Sequence, residues 1–252
     1  MIKAVLIGYG NVNSHLLKAL ANSNKTAVVQ LYTRSEIQLP TAFQSIPHTQ
    51  DLNELKEADV YIVAISDDAI LDFSENLPLN NQLVVHTSGG VSIDNLSKKN
   101  RRGVFYPLQT FSKDTVVDFK SIPICIEADD PKDEALLQAM GEAISDRVVK
   151  INSDERAKIH VAAVFVNNFV NYLYYIGQDI LKQDGIPFDI LTPLIQETAH
   201  KIEDLSPEKA QTGPAKRNDK KTIEKHQHLL HNETYKEVYA LLTKLIQEHH
   251  AK

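Results

Sequence analysis

Residues 5–20, VLIGYGNVNSHLLKAL, pass from an unbroken apolar run through two glycines into a helix-periodic pattern. A strand that turns at once into a helix commits this part of the chain to a strand–turn–helix unit, with Gly8 and Gly10 at the turn. The spacing is that of G-x-G-x-x-G, except that Asn13 stands where the third glycine belongs. In such turns the first glycine permits the bend and the second lets a diphosphate approach the backbone. The third allows close helix–strand packing. Asn13 is therefore expected to loosen the packing without blocking a ligand. Gly8, Tyr9, Gly10 and the backbone of Asn11 and Val12 are expected to hold a dinucleotide's diphosphate at the positive end of the helix. The alternative is a tight turn that binds nothing.

The first 150 residues continue in the same alternation. Strands are expected at 4–7, 28–32, 60–65, 83–86, 122–127 and 147–151, with helices such as 12–21 and 131–144 between them. This pattern predicts βαβ units and a mainly parallel sheet. The run VYIVAI (60–65) suits a sheet covered on both faces. After residue 151 no strand is expected. Residues 153–183 read as one long helix with Ser153 as N-cap, acids in its first turn, and Gly185 and Pro187 ending it. Further helices are expected at 188–204, 220–230 and 233–248. The break SPEKAQTGPAKRND (206–219) holds Pro207, Gly213 and Pro214, which no single helix tolerates. The fold class is thus α/β: a sheet domain over 1–151 and an all-helical domain over 152–252. The long helix is apolar on much of its circumference over 159–176 and needs partners, which predicts a homodimer.

In a dinucleotide site the residues closing the second strand choose the cofactor. NAD needs an acid there to hold the ribose 2′-hydroxyl. Here stand Thr33, Arg34 and Ser35, and the first acid in the chain, Glu36, lies past the strand end. A guanidinium flanked by hydroxyls suits a 2′-phosphate, which predicts NADP. At the next strand ends, Ile65, Ser66 and Asp67 are expected to border the middle of the cofactor, although Asp67 and Asp68 can instead cap the following helix. His86, Thr87 and Ser88 are expected at the nicotinamide ribose or a substrate, His86 being otherwise a satisfied core histidine. Gly89 and Gly90 permit close backbone approach. Gln109 faces the site or satisfies local backbone.

Along the long helix His160, Asn167 and Asn171 fall within roughly 20° of one azimuth at 3.6 residues per turn. A histidine there is either structural or a proton donor to a carbonyl or imine receiving hydride. Arg217, beyond Gly213-Pro214, can fork onto a substrate carboxylate or lie in solvent. The histidines at 226, 228, 231, 249 and 250 have no spacing that completes a metal site.

Composition narrows the class. The formal charge is -6, against a nucleic-acid partner. The cluster Lys98-Lys99-Asn100-Arg101-Arg102 reads as a solvated helix end or loop. A single cysteine, Cys125, fits a reducing compartment. No apolar run approaches roughly 18 residues, against a membrane span. The first five residues lead into a strand with no signal-peptide plan, so a cytoplasmic protein is expected.

Together IGYGNV (7–12), YTRS (32–35), ISDDAI (65–70), HTSG (86–89), YPLQTFS (106–112), HVAAVFVNN (160–168) and TGPAKRND (212–219) resemble a group of candidate NADP oxidoreductases. These pair a Rossmann-like domain with a C-terminal helical domain of unknown function. They belong to the wider superfamily of pyrroline-5-carboxylate reductase, 6-phosphogluconate dehydrogenase and the β-hydroxyacid dehydrogenases. The resemblance covers essentially the whole chain. It implies a Rossmann domain, a dimerising helical domain and cofactor between them. Matched by position it puts the catalytic residues at His160 and Asn168, where azimuth prefers Asn167. The Lys-x-x-x-Asn pair of the β-hydroxyacid dehydrogenases is missing, since Lys158 is followed four residues later by Ala162. The expected function is NADP(H)-dependent hydride transfer to or from a small carbonyl, hydroxy acid or imine, with Ser88, Gln109 and Arg217 as substrate residues. A dinucleotide-binding sensor that never turns over is the alternative that the missing pair supports. Hydride exchange between NADP and a deazaflavin is another.

Overall fold

The computed structural model describes residues 1–113 and 115–251. Two compact units divide the chain, Met1–Phe165 and Val166–Lys252. The first unit is built from β1 (Ile2–Ile7), α1 (Asn11–Ala21), β2 (Thr26–Tyr32), β3 (His48–Thr49), β4 (Val60–Val63) and α2 (Ile70–Asn76), then β5 (Leu83–His86), β6 (Arg101–Pro107), β7 (Ile124–Ala128), α3 (Pro131–Glu142) and β8 (Val148–Lys150). The eight strands form one sheet in the order β3-β2-β1-β4-β5-β6-β7-β8. Only β6 and β7 pair antiparallel; the other neighbours are parallel. The chain reverses its direction of travel across the sheet between β1 and β4. Ligands of open parallel sheets bind outside the carboxyl ends of strands at such a point.

The period of two along the strands divides the core. Ala4 and Leu6 of β1 pack with Leu16, Leu17 and Leu20 of α1 on one face. Val5 and Ile7 join Tyr61, Val63, Val84 and Ile70 on the other. All of these are buried, which is why β1 and β4 read as continuous apolar runs. Truncating any one of the α1 leucines to alanine is a change worth about 2–5 kcal/mol.

β6 was not expected as a strand, because it opens on charges and closes on proline. The charges are paired: Arg101 with Asp133, and Arg102 with Asp94 and Asp129 at 3.0 and 2.7 Å. Two arginines of the basic cluster therefore begin a strand, which corrects their reading as a solvated loop or helix end.

Beyond the sheet lies α4 (Ser153–Ala163), whose N-cap is Asn152 and not Ser153. The Asn152 side chain accepts from the Glu155 amide, and Glu155 accepts from the Asn152 amide. Ser153 donates to Glu127 on β7 instead. One turn on, the buried Arg156 binds Glu127, the Val91 carbonyl and the Ser153 hydroxyl. These bonds tie the start of the long helix to the sheet unit, which runs to Phe165.

The long helix is not one regular helix. After α4, residues Val164–Phe169 form a π segment, and α5 (Val170–Lys182) follows. The second unit continues with α6 (Thr192–Asp204), α7 (Pro207–Ala210), α8 (Lys220–Leu229) and α9 (Glu233–His250). No helix among the described residues is long and apolar enough to cross a membrane.

His86 ends β5 wholly inside the first unit. Its Nδ1 accepts from the Ser88 amide at 3.2 Å. Burial, helped by the charge of Arg156, lowers its pKa from 6.5 to about 3. Between those values the unfolded ring takes a proton that the folded ring does not, so this residue's contribution is complete above about pH 6.5 and falls as pH drops. Urea unfolding of the wild type and His86→Gln at pH 7 and 5 tests this. From pH 7 to pH 5 the wild type should lose about 2 kcal/mol more than the variant, the slope approaching about 1.4 kcal/mol per pH unit only well below pH 6.5. Parallel losses would contradict the assignment.

Candidate functional site

The turn after β1 is closed from below. Gly8 has φ +86°, and a Cβ there would lie 2.5 Å from the Ala64 carbonyl oxygen. Only glycine fits that position. The Gly8 amide donates to the Tyr32 carbonyl at 2.8 Å, joining the turn to β2. Asn13 is fully buried, and its Nδ2 donates to the carbonyls of Ile7 and Gly8 at 3.0 and 2.8 Å. The expectation of a loosened contact is corrected: the amide ties helix and turn together by hydrogen bonds where a third glycine would do so by proximity.

The consequence is a free helix end. Gly10 is the N-cap of α1, without a side-chain cap and with no acid in the first turn. A Cβ added at Gly10 would meet nothing within 4 Å, so the approach is open. A cavity of ≈ 390 Å³ lies here, lined by Gly8, Tyr9, Gly10, Thr33, Arg34, Ser35, Ile65 and Ser66 among others. It joins the carboxyl ends of β1, β2 and β4. Arg34 is exposed and makes no ion pair among the described residues. An uncapped helix N-terminus beside an unpaired guanidinium is chemically an anion site.

Thr33 does not turn its hydroxyl outward. Its Oγ1 donates to the Ser35 carbonyl and meets Nε2 of His48 on β3, both at 2.6 Å. Thr33 and His48 thus shape the loop that carries Arg34 and Ser35. Asn11 and Val12 lie on the first turn of α1, where the Asn11 side chain donates to the Phe111 carbonyl at 3.0 Å. His15, one turn on, meets the Ser112 carbonyl at 2.9 Å and packs on Phe111. The YPLQTFS segment therefore lies along α1. Within it the Gln109 Oε1 accepts from the Thr110 amide, the local-backbone alternative.

The second cluster stands after β5. His86 and Thr87 are buried, and His86 has no exposed surface to offer a ligand, which corrects its placement at the cofactor. Ser88 accepts from the amides of Gly90 and Val91 at 3.2 Å each, so its oxygen shapes the loop while its proton remains available. A Cβ on Gly89 would fall 2.6 Å from His160 Nδ1 and 2.9 Å from the Tyr106 hydroxyl. His160 and Tyr106 are themselves 3.5 Å apart, Nδ1 to oxygen. A Cβ on Gly90 would lie 3.6 Å from His160 Cδ2 and 3.9 Å from Asp67 Oδ2. Asp67 provides no side-chain cap to the helical turn after β4, whose N-cap is Ser66. His160 and Tyr106 thus meet over Gly89, with Asp67 on the far side of Gly90. Tyr106, within YPLQTFS, is not among the residues the sequence points to for the site; its signal is a tyrosine ahead of Pro107 at the carboxyl end of a strand.

The remaining candidates lie in the second unit. Asn168 is exposed on the π segment, and Arg217 is exposed after the turn at Gly213. A π turn takes one residue more than an α turn. The azimuths that favoured Asn167 over Asn168 therefore do not hold past Val164.

Residues 122–246 match the family model described as "Domain of unknown function (DUF2520)". No curated protein matches the chain significantly. Among solved structures, a Bacteroides fragilis protein named provisionally as an NADP oxidoreductase is 38% identical, with 98% of each chain covered and a TM-score of 0.88. A Thermotoga maritima protein is 22% identical over 98% of each chain, TM-score 0.75. The pyrroline carboxylate reductase of Plasmodium falciparum, with NADP bound, is 13% identical over 98% of each chain, TM-score 0.64. The last two share the fold. At 38% identity along nearly its whole length, with the same Rossmann-type sheet and the DUF2520 region behind it, this chain belongs to the family of the Bacteroides fragilis protein.

Proposed function

We propose that the protein is an NADP(H)-dependent oxidoreductase that transfers hydride to or from a small carbonyl, hydroxy acid or imine. The observation that carries this reading is the uncapped end of α1 at the open face of Gly10, inside a cavity edged by Arg34. The amides of Gly10, Asn11 and Val12 hold the diphosphate there. Arg34 forks onto the 2′-phosphate with the Ser35 hydroxyl beside it, and Thr33 holds that loop in place. Tyr9, Ile65 and Ser66 wall the same cavity. The name of the 38%-identical Bacteroides fragilis protein supports the same cofactor.

Bound in this way, the nicotinamide supplies or accepts the hydride. His160 gives or takes the proton at the carbonyl oxygen or imine nitrogen. Ser88 offers its hydroxyl proton to the substrate. A reducing, cytoplasmic setting accords with the one buried thiol, Cys125.

The reading includes a homodimer. Ala215 is the single buried residue among those described in the second unit. Tyr172, Tyr175 and Ile180 of α5 and Leu241, Leu242 and Leu245 of α9 are exposed. A helical unit without a core of its own needs a partner surface, and a second copy supplies the same apolar faces in return.

Two measurements test the proposal. The wild type should bind NADPH more tightly than NADH, and Arg34→Ala should weaken NADPH by about 10- to 100-fold while NADH affinity holds, the loss of a charged hydrogen-bond pair. Equal affinities in the wild type would overturn the cofactor assignment. Sedimentation at micromolar concentration should give twice the 28.3 kDa of one chain; a monomer would exclude the dimer.

A further inference from the structure

We infer that Tyr106 is a positioning residue for His160, holding the neutral ring as the tautomer with its proton on Nε2, and that the pair can form only over a glycine at position 89. The inference rests on the reading of His160 as the group that meets the substrate.

The Tyr106 hydroxyl lies 3.5 Å from His160 Nδ1, with the rings edge to face at a centroid distance of 6.4 Å. Neither side chain has another hydrogen-bond partner among the described residues. A hydroxyl and a ring nitrogen with no competitor have one bond to make, and its sense decides the tautomer. Burial raises the pKa of Tyr106, so the hydroxyl keeps its proton. A phenol is a better donor than acceptor. It donates to Nδ1, and the neutral imidazole then carries its hydrogen on Nε2. That N–H is left to hydrogen-bond a carbonyl oxygen or imine nitrogen; the proton it gives as hydride reaches the adjacent carbon is replaced at Nδ1 from the Tyr106 hydroxyl, which recovers one from water, so the ring stays neutral.

The surroundings fix both partners. Tyr106 is in β6, and His160 is one turn beyond Arg156, whose bonds dock α4 on the sheet. Gly89 is the floor: its Cα has His160 Nδ1 and the Tyr106 hydroxyl where a Cβ would be, at 2.6 and 2.9 Å. A side chain there must displace one or both ring ends from this arrangement. The loop cannot retreat easily, since Ser88 ties the amides of Gly90 and Val91. A tyrosine and a glycine that touch no ligand thereby set what the histidine presents.

Nitrogen-15 spectra of histidine-labelled protein at pH 8, without cofactor, test this, with His160→Gln identifying the resonances. In the wild type His160 should be protonated on Nε2 alone, with Nδ1 shifted upfield by the hydrogen bond it accepts. Tyr106→Phe should mix the tautomers, moving Nε2 downfield and Nδ1 further upfield as the proton divides between them. Gly89→Ala should do the same with both rings intact, so either variant suffices if the other fails to fold. An Nδ1-protonated ring in the wild type, or unchanged spectra in Tyr106→Phe, would overturn the role of Tyr106. Unchanged spectra in Gly89→Ala would overturn that of Gly89. None of these readouts requires NADPH to bind, so a failure of the cofactor assignment would be seen separately.

Discussion

Everything at the sheet's carboxyl edge depends on the turn at Gly8 staying closed over the Ala64 carbonyl. With a carbonyl oxygen 2.5 Å from where a Cβ would sit, the backbone takes a left-handed path that no other residue follows without strain. That path ends β1 and starts α1 within three residues, so the amides of the first helical turn have no strand or side chain to satisfy them. Asn13 keeps this geometry from below. Its two donated hydrogen bonds are worth about 1 kcal/mol each, while its buried Oδ1 has no partner among the described residues, a cost of about 1–3 kcal/mol. Those terms nearly cancel. The residue contributes placement more than stability.

A second tie sets the other half of the edge. Arg156 is buried and shared between Glu127 on β7 and the Val91 carbonyl in the loop after β5. Removing one member of such a pair leaves an uncompensated buried charge, so α4 has little freedom to slide. His160 therefore belongs to a rigid element and meets Tyr106 of another. Groups that must act at a substrate with sub-ångström tolerance gain from such a base. The two ties explain why an uncapped helix end and a histidine–tyrosine pair coexist on one edge without sharing a residue.

The sheet was legible because its strands are buried on both faces, and β1 and β4 leave an apolar signature that polar strands lack. β6 was illegible for the opposite reason: Arg101 and Arg102 look solvated until the acids that neutralise them are brought from α3 and the neighbouring loops. That Gly8, Gly10 and Arg34 would share one edge of the sheet could be read from spacing, since each follows a strand end, and all three line the same cavity. His86 could not be separated from a ligand-facing histidine, because burial at a strand end depends on what lies over it. The role of Asn13 was misread because a motif records which residue is usual, not which other residue can do the same work. Tyr106 and Gly89 gain meaning only when α4 folds back on the sheet, a contact between positions 54 and 71 residues apart. The π segment defeated azimuth counting, since periodicity at 3.6 residues assumes the helix that it is used to find.

The cofactor assignment stands or falls on whether the bare amides opening α1 receive a diphosphate. The most direct measurement is a titration of NADPH into nitrogen-15-labelled protein, following backbone amide resonances. Saturable shifts should be largest at Gly10, Asn11 and Val12 and extend to Arg34 and Ser35. Resonances of these residues that stay in place at millimolar NADPH would contradict the assignment.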